Sequence, residues 1–231
     1  MKSKNIKICI VVVAEDLKNF FRNIAKNAKV SRLIELRVDY ICDLSILDIE
    51  VISRETKKYP RHKFIFTCRH KKDDGEFQGS EKKLIKITET AVKYNFDYLD
   101  IDLRIISKIN LENKNKKTKI ICSTHDFSKT PAYRELEKIK KKIKKTKTDI
   151  IKIATIVKKE NDLNNLFKLL INKESKEEMI VLGMGKEGKR SRILAPLLGG
   201  YLTFASIGAQ KSAPGQIDIK RLEKIYDDLC E

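Results

Sequence analysis

Eight short runs rich in β-branched residues recur along the chain, at 6–14, 33–40, 63–69, 97–103, 118–127, 149–156, 178–184 and 201–208. Segments with helical period separate most of them, at 16–28, 80–94, 130–145, 160–173, 190–200 and 217–231, with Ser80 as a start signal for the second. Strands that alternate with helices return the chain to the same end of a sheet, so they pair in parallel. Eight strand-helix units predict an α/β fold, a (β/α)8 TIM barrel, with an open doubly wound sheet as the alternative architecture. The 231 residues include only 4 prolines and 9 glycines, and no linker or low-complexity segment interrupts them. Residues 1–231 are therefore read as one domain.

A formal net charge of +18 raises the question of nucleic acid or another anionic surface. The pattern argues against it. Lysine supplies 39 of the 50 basic residues and is spread along the chain. The densest run, 138–147, keeps Ile139 and Ile143 four apart, as an amphipathic helix with one buried stripe and a solvated basic face would. There is no zinc-type Cys/His spacing, no RNP-like aromatic strand and no tryptophan. The five cysteines, Cys9, Cys42, Cys68, Cys122 and Cys230, are odd in number and far apart, which suits reduced thiols in a cytoplasmic protein. The apolar run at the N-terminus lacks a cleavage signal and passes into Glu15 and Asp16, so it reads as a first strand rather than a signal peptide. No segment has the apolar length to span a membrane.

Residues two apart in a strand share a face. Glu35, Arg37 and Asp39 share one, with Leu36 and Val38 opposite; Thr67 and Arg69, Asp100 and Asp102, Ser123 and His125, and Lys152 and Ala154 form similar pairs. The outward face of a barrel strand packs under helices and is apolar, so these polar faces are expected to point inward. Buried charge is costly unless compensated, which predicts mutually paired groups around a ligand pocket at the C-terminal mouth. Asp102 also has a purely local option, an ion pair with Arg37 or Arg104.

Lys152 sits between Ile150–Ile151 and Ile153–Ala154, unlike nearly every other lysine. An amine among apolar groups and other cations is favoured in its neutral form, and only that form attacks a carbonyl to give a Schiff base. His125 on the neighbouring strand is the natural proton carrier. Together they predict imine-assisted proton abstraction. Residues 183–192, by contrast, match G-x-G-x-x-G and nearly match a P-loop. Arg190 occupies the place of the P-loop Ser/Thr, and no acidic residue follows where a dinucleotide site needs one. A glycine-bearing loop that delivers Arg192 to an anionic substrate remains, with Ser191 as a local helix cap.

The chain resembles the type I 3-dehydroquinate dehydratases over essentially its whole length. The resemblance rests on ELRVD at 35–39, FTCR at 66–69, DYLDIDL at 97–103, STHDF at 123–127, KIA at 152–154, MGKEGKRSR at 184–192 and FASIGAQKSAPGQI at 204–217. It implies that Lys152 forms the Schiff base with the C3 ketone of 3-dehydroquinate and that His125 is the general acid/base. It further implies that Arg192 pairs with the substrate carboxylate, helped by Ser212 and Gln216, and that Glu35, Arg37 and Arg69 bind ring hydroxyls. No metal or diffusible cofactor is implied; a homodimer is. One departure stands out: family members carry E-G-G four residues after the arginine of FTCR, its glutamate partnering the catalytic histidine. Here Asp73, Asp74 and Gly75 occupy those places. Asp73 is shorter by roughly 1.5 Å, so it, Asp74 or Glu76 is left to orient the histidine. The competing readings are another Schiff-base barrel of the class I aldolase type, which normally binds a substrate phosphate, and a basic nucleic-acid-binding protein.

Overall fold

A computed structural model describes residues 6–73, 75–146, 148–208 and 215–230. Its elements are, in chain order, β1 (Ile8–Val12), α1 (Leu17–Asn27), β2 (Leu33–Arg37), α2 (Ile46–Thr56), β3 (Lys63–Thr67), α3 (Glu81–Val92), β4 (Tyr98–Asp102) and β5 (Lys119–Asp126). There follow α4 (Tyr133–Lys144), β6 (Ile150–Ile156), α5 (Glu160–Ile171), β7 (Glu178–Met184), α6 (Gly185–Leu197), β8 (Thr203–Ser206), β9 (Ile217–Asp218) and α7 (Ile219–Cys230). All eight expected strands are present. Contacts divide the chain into two compact units, residues 11–122 and residues 1–10 with 123–231.

In the first unit β2, β3 and β4 pair in parallel, and the register aligns Arg37 with Thr67 and Thr67 with Asp100. One residue earlier, Leu36, Phe66 and Leu99 align on the opposite face, all buried. Period-two alternation thus becomes a polar rung and an apolar rung. Polar caps start the helices: Asp16 accepts from the Asn19 amide at 2.8 Å, and Ser80 from the Lys83 amide at 3.2 Å. Helix α2 was not foreseen, yet Ser45 and Asp48 form a reciprocal capping box at its start. Its buried face mixes Ile49 and Ile52 with Ser53 and Thr56, which blurs the apolar period. Beyond β4, where the sequence offers no helical segment, only a 3-10 turn, Ile106–Lys108, precedes β5 among the described residues. The asparagine- and lysine-rich stretch that follows has no apolar stripe with which a helix could dock.

In the second unit β6 and β7 pair over their full lengths, from Ile150 opposite Glu178 to Ile156 opposite Met184. Strand β8 pairs with both β1 and β9, the latter an added short strand. The stripe of α4 differs from the expected one. Ile143 is buried but Ile139 only half-buried, and Leu136 and Lys140 complete the buried face. Lys140 can lie there because its ammonium meets Glu137 at 2.9 Å and Glu177 at 3.7 Å.

The expected loop at 183–192 is a correction. Strand β7 runs to Met184, and α6 begins at Gly185, so Arg192 lies two turns inside a helix. A Cβ on Gly188 would stand 2.4 Å from the carbonyl carbon of Gly183, so the glycine spacing serves the close packing of α6 on β7. Ser191 is no cap; it is fully buried, accepts from the Gly183 amide at 2.7 Å and donates to the Gly188 carbonyl at 2.7 Å.

Candidate active site

In the first unit the polar rung is a chain of charge-assisted contacts. Glu35, Arg37, Arg69 and Asp100 are each at most 7% exposed. Thr67 Oγ1 donates to Glu35 Oε1 at 2.9 Å, and Arg69 Nη2 to Asp100 Oδ1 at 3.3 Å. Strand β2 ends at Arg37, and a 3-10 turn, Val38–Tyr40, brings Asp39 back onto it. Arg37 Nε and Nη2 then donate to the two Asp39 oxygens at 2.9 and 2.7 Å, a fork matched to a carboxylate. Burial opposes the Arg37 charge, but Asp39 and Glu35 outweigh it and shift the guanidinium upward. The Tyr40 ring stacks under the same guanidinium at 4.9 Å.

Asp39 has a second role. Its Oδ2 accepts from the Glu76 amide at 3.0 Å, which ties the segment after β3 to the end of β2. That segment folds on itself through His70, whose Nδ1 accepts from the Lys72 amide at 3.0 Å while Nε2 lies 3.0 Å from the Gly79 carbonyl. Asp73 lies in a 3-10 turn there, and its carboxylate meets the Arg104 guanidinium. Arg104 also donates from Nε to Asp102 at 3.1 Å, so Asp102 takes the local partner. Burial, the leading influence on Asp102, raises its carboxyl against the opposing Arg104 amide.

In the second unit Lys152 is 4% exposed. Ile150 and Ala154 share its face of β6, and Ile180 is its partner across on β7. Its Nζ stands 4.6 Å from the centroid of Phe204 on β8. His125, half-buried near the end of β5, stacks on Phe127 with ring centroids 6.1 Å apart. Next to it, hydrogen bonds from Ser128 and Lys129 to Asp126 outweigh burial and lower that carboxyl, fixing the turn after β5.

Arg192 is 2% exposed, and burial alone lowers its guanidinium to about 10. Its carbonyl accepts from Thr203 Oγ1 at 2.9 Å and from the Tyr226 hydroxyl at 2.8 Å, so β8 and α7 both hold this turn of α6. Gln216 is also buried, immediately before β9. Gly215 beside it has a φ of +82°, and a Cβ there would stand 2.4 Å from the Gly185 carbonyl oxygen; this close approach sets the end of the 204–217 segment against the start of α6. Ser212 lies outside the described residues.

The expected residues thus fall into two sets. Glu35, Arg37, Arg69 and Asp73 stand in the first unit, with Lys152, His125, Arg192 and Gln216 in the second. Sequence reasoning gave no role to Phe204, placed Asp39 only on the polar face it shares with Arg37, and saw Arg104 only as a local partner for Asp102. The contacts of Phe204 with Lys152 and of Arg104 with Asp73 arise through tertiary folding. Among the described residues no group of three or more His, Cys, Asp or Glu side chains is arranged to hold a metal.

Comparison with known proteins gives one consistent result. The sequence model of the Type I 3-dehydroquinase family matches residues 8–230. A 3-dehydroquinate dehydratase of Coxiella burnetii (strain CbuK_Q154) is 41% identical over 220 residues, covering 95% of this chain and 92% of the relative. One from Methanococcus maripaludis (strain C6 / ATCC BAA-1332) is 35% identical over 224 residues, covering 95% and 98%. The crystal structure of 3-dehydroquinate dehydratase from Geobacillus kaustophilus HTA426 superposes with a TM-score of 0.86 at 25% identity, over 97% of this chain and 91% of that one. The fold class is the α/β, (β/α)8 type expected from the sequence. By the extent of these matches, the chain belongs to the type I 3-dehydroquinase family and shares its hydro-lyase activity, the dehydration of 3-dehydroquinate.

Proposed function

We propose that this chain dehydrates 3-dehydroquinate to 3-dehydroshikimate through an imine on Lys152. The observation that carries the assignment is that lysine's setting: 4% exposed, on a β6 face shared with Ile150 and Ala154, with its nitrogen against Phe204. The neutral amine adds to the C3 ketone, and the carbinolamine loses water to give the imine. The imine withdraws electrons from the adjacent carbon, a base removes the proton there, and the C1 hydroxyl takes up a proton and leaves as water. Hydrolysis then restores the lysine. His125 moves the protons in each step. Water is the sole species lost overall, so the sequence as written balances without an added cofactor.

Arg192 holds the substrate carboxylate with Gln216 and Ser212, while Glu35, Arg37 and Arg69 take the ring hydroxyls. Asp73 takes the sequence place of the family's glutamate, and Arg104 holds its carboxylate. The two unit boundaries fall inside β1 and β5 rather than in linkers, which supports one catalytic domain over residues 1–231. Cytoplasmic residence is supported by Cys9, Cys42, Cys68 and Cys122, which are thiols rather than half-cystines. A homodimer is proposed on the family resemblance alone. Borohydride reduction with 3-dehydroquinate, followed by peptide mass spectrometry, tests the mechanism. A reduced adduct on Lys152, absent from Lys152→Ala, is expected; turnover without an adduct would remove the imine.

A further inference from the structure

Ser206 is the last residue of β8. It is 3% exposed, and its hydroxyl has no hydrogen-bond partner among the described residues. A hydroxyl buried without a hydrogen-bond partner gives up its bonds to water without return, so a chain that retains one carries a penalty in the unliganded state. Strand parity says which way the group faces. Phe204, two residues earlier, puts its ring against the Lys152 nitrogen, whereas Thr203 on the other face bonds the α6 backbone at the Arg192 carbonyl. Ser206 therefore shares the Lys152 side, one rung nearer the carboxyl end of β8. Two strand residues span roughly 6.6 Å, a distance on the scale of a six-membered ring held at Lys152.

We infer that Ser206 is a substrate-binding residue, its hydroxyl hydrogen-bonded to an oxygen substituent of the ring bound at Lys152. The inference rests on the imine reading above. It explains why a polar atom is kept where alanine would fill the same space: the partner is the ligand, and the bond completes only when the ligand arrives. A site built to hydrogen-bond a substrate oxygen is weakened when its own polar group is deleted, because the substrate oxygen is then desolvated without return.

Ser206→Ala removes one oxygen and nothing else. The expected result is a fall of at least fivefold in kcat/KM for 3-dehydroquinate, with a melting temperature equal to or above that of the unsubstituted chain, and with Lys152 still trapped by borohydride at saturating substrate. An unchanged kcat/KM would overturn the assignment. So would a lowered melting temperature, because it would mean the hydroxyl has a structural partner in the folded chain. Turnover by the unsubstituted chain is measured alongside. Its absence would remove the assigned reaction and this inference with it, whereas its presence with unaltered Ser206→Ala kinetics removes Ser206 alone.

Discussion

At the scale of single residues, the chain's chemistry depends on charges that are buried only because each has a partner of fitting shape. Asp39 and Arg37 are the sharpest case, with side chains 0% and 7% exposed and two matched hydrogen bonds. Removing one partner of such a pair leaves the other charge buried and uncompensated, which costs about 3–5 kcal/mol. Asp39→Ala is therefore expected to lower the unfolding free energy by that amount in denaturant titrations. A loss within about 1 kcal/mol, the range of exposed pairs, would contradict the burial of this fork. The sequence made Arg37 and Asp39 readable as neighbours on one face, because strand parity is a local rule. It left Arg104 as one of two partners for Asp102 and did not foresee Asp73 beside the same guanidinium, since that contact depends on how the segments after β3 and β4 return.

At the scale of elements, parity made the strands legible. Runs such as Ile150–Ile156, apolar at almost every position, read as strands by length and branching, and β6 follows those bounds closely. Among the helices, α2 escaped the sequence reading, and serine and threonine share its buried stripe. Helix α4 was legible as a helix, but its stripe was not, because Lys140 is buried where Ile139 was expected. The α4 case has a measurable consequence at the turn before β7. Glu177 accepts from the Glu174 amide at 3.0 Å and meets Lys144 at 2.6 Å and Lys140 at 3.7 Å. Burial raises the Glu177 carboxyl, but these partners more than offset it and set the group below the ordinary 4.5. A carboxyl lowered in the folded state stabilises it above that ordinary value and loses the contribution as pH falls through the lowered one. The melting-temperature gap between the unsubstituted chain and Glu177→Gln is thus expected to be full near neutral pH and to close below 4.5. A gap independent of pH would mean that the bonds, not the charge, hold this corner.

At the scale of the whole molecule, the eight-unit alternation made the fold class readable, and the proposal of one domain turns on where the chain passes between the two compact units. A domain boundary falls where few contacts cross and the chain is exposed, commonly in a polar or Gly/Pro-rich linker. Here one boundary falls between Ile10 and Val11, inside β1, and the other between Cys122 and Ser123, inside β5. Ile10, Val12, Ile121, Cys122 and Ser123 are all buried. A strand cannot keep half its length folded beside a core while the other half is released without exposing such residues and breaking its ladder. Unfolding is therefore expected to be one cooperative transition, with far-ultraviolet circular dichroism and tyrosine fluorescence giving the same midpoint in urea. Tyr40, Tyr59, Tyr94 and Tyr98 lie in one unit and Tyr133, Tyr201 and Tyr226 in the other, so the fluorescence samples both. Two separated transitions, or midpoints that differ between the probes, would instead make the units independent and require the catalytic chain to be described as two domains.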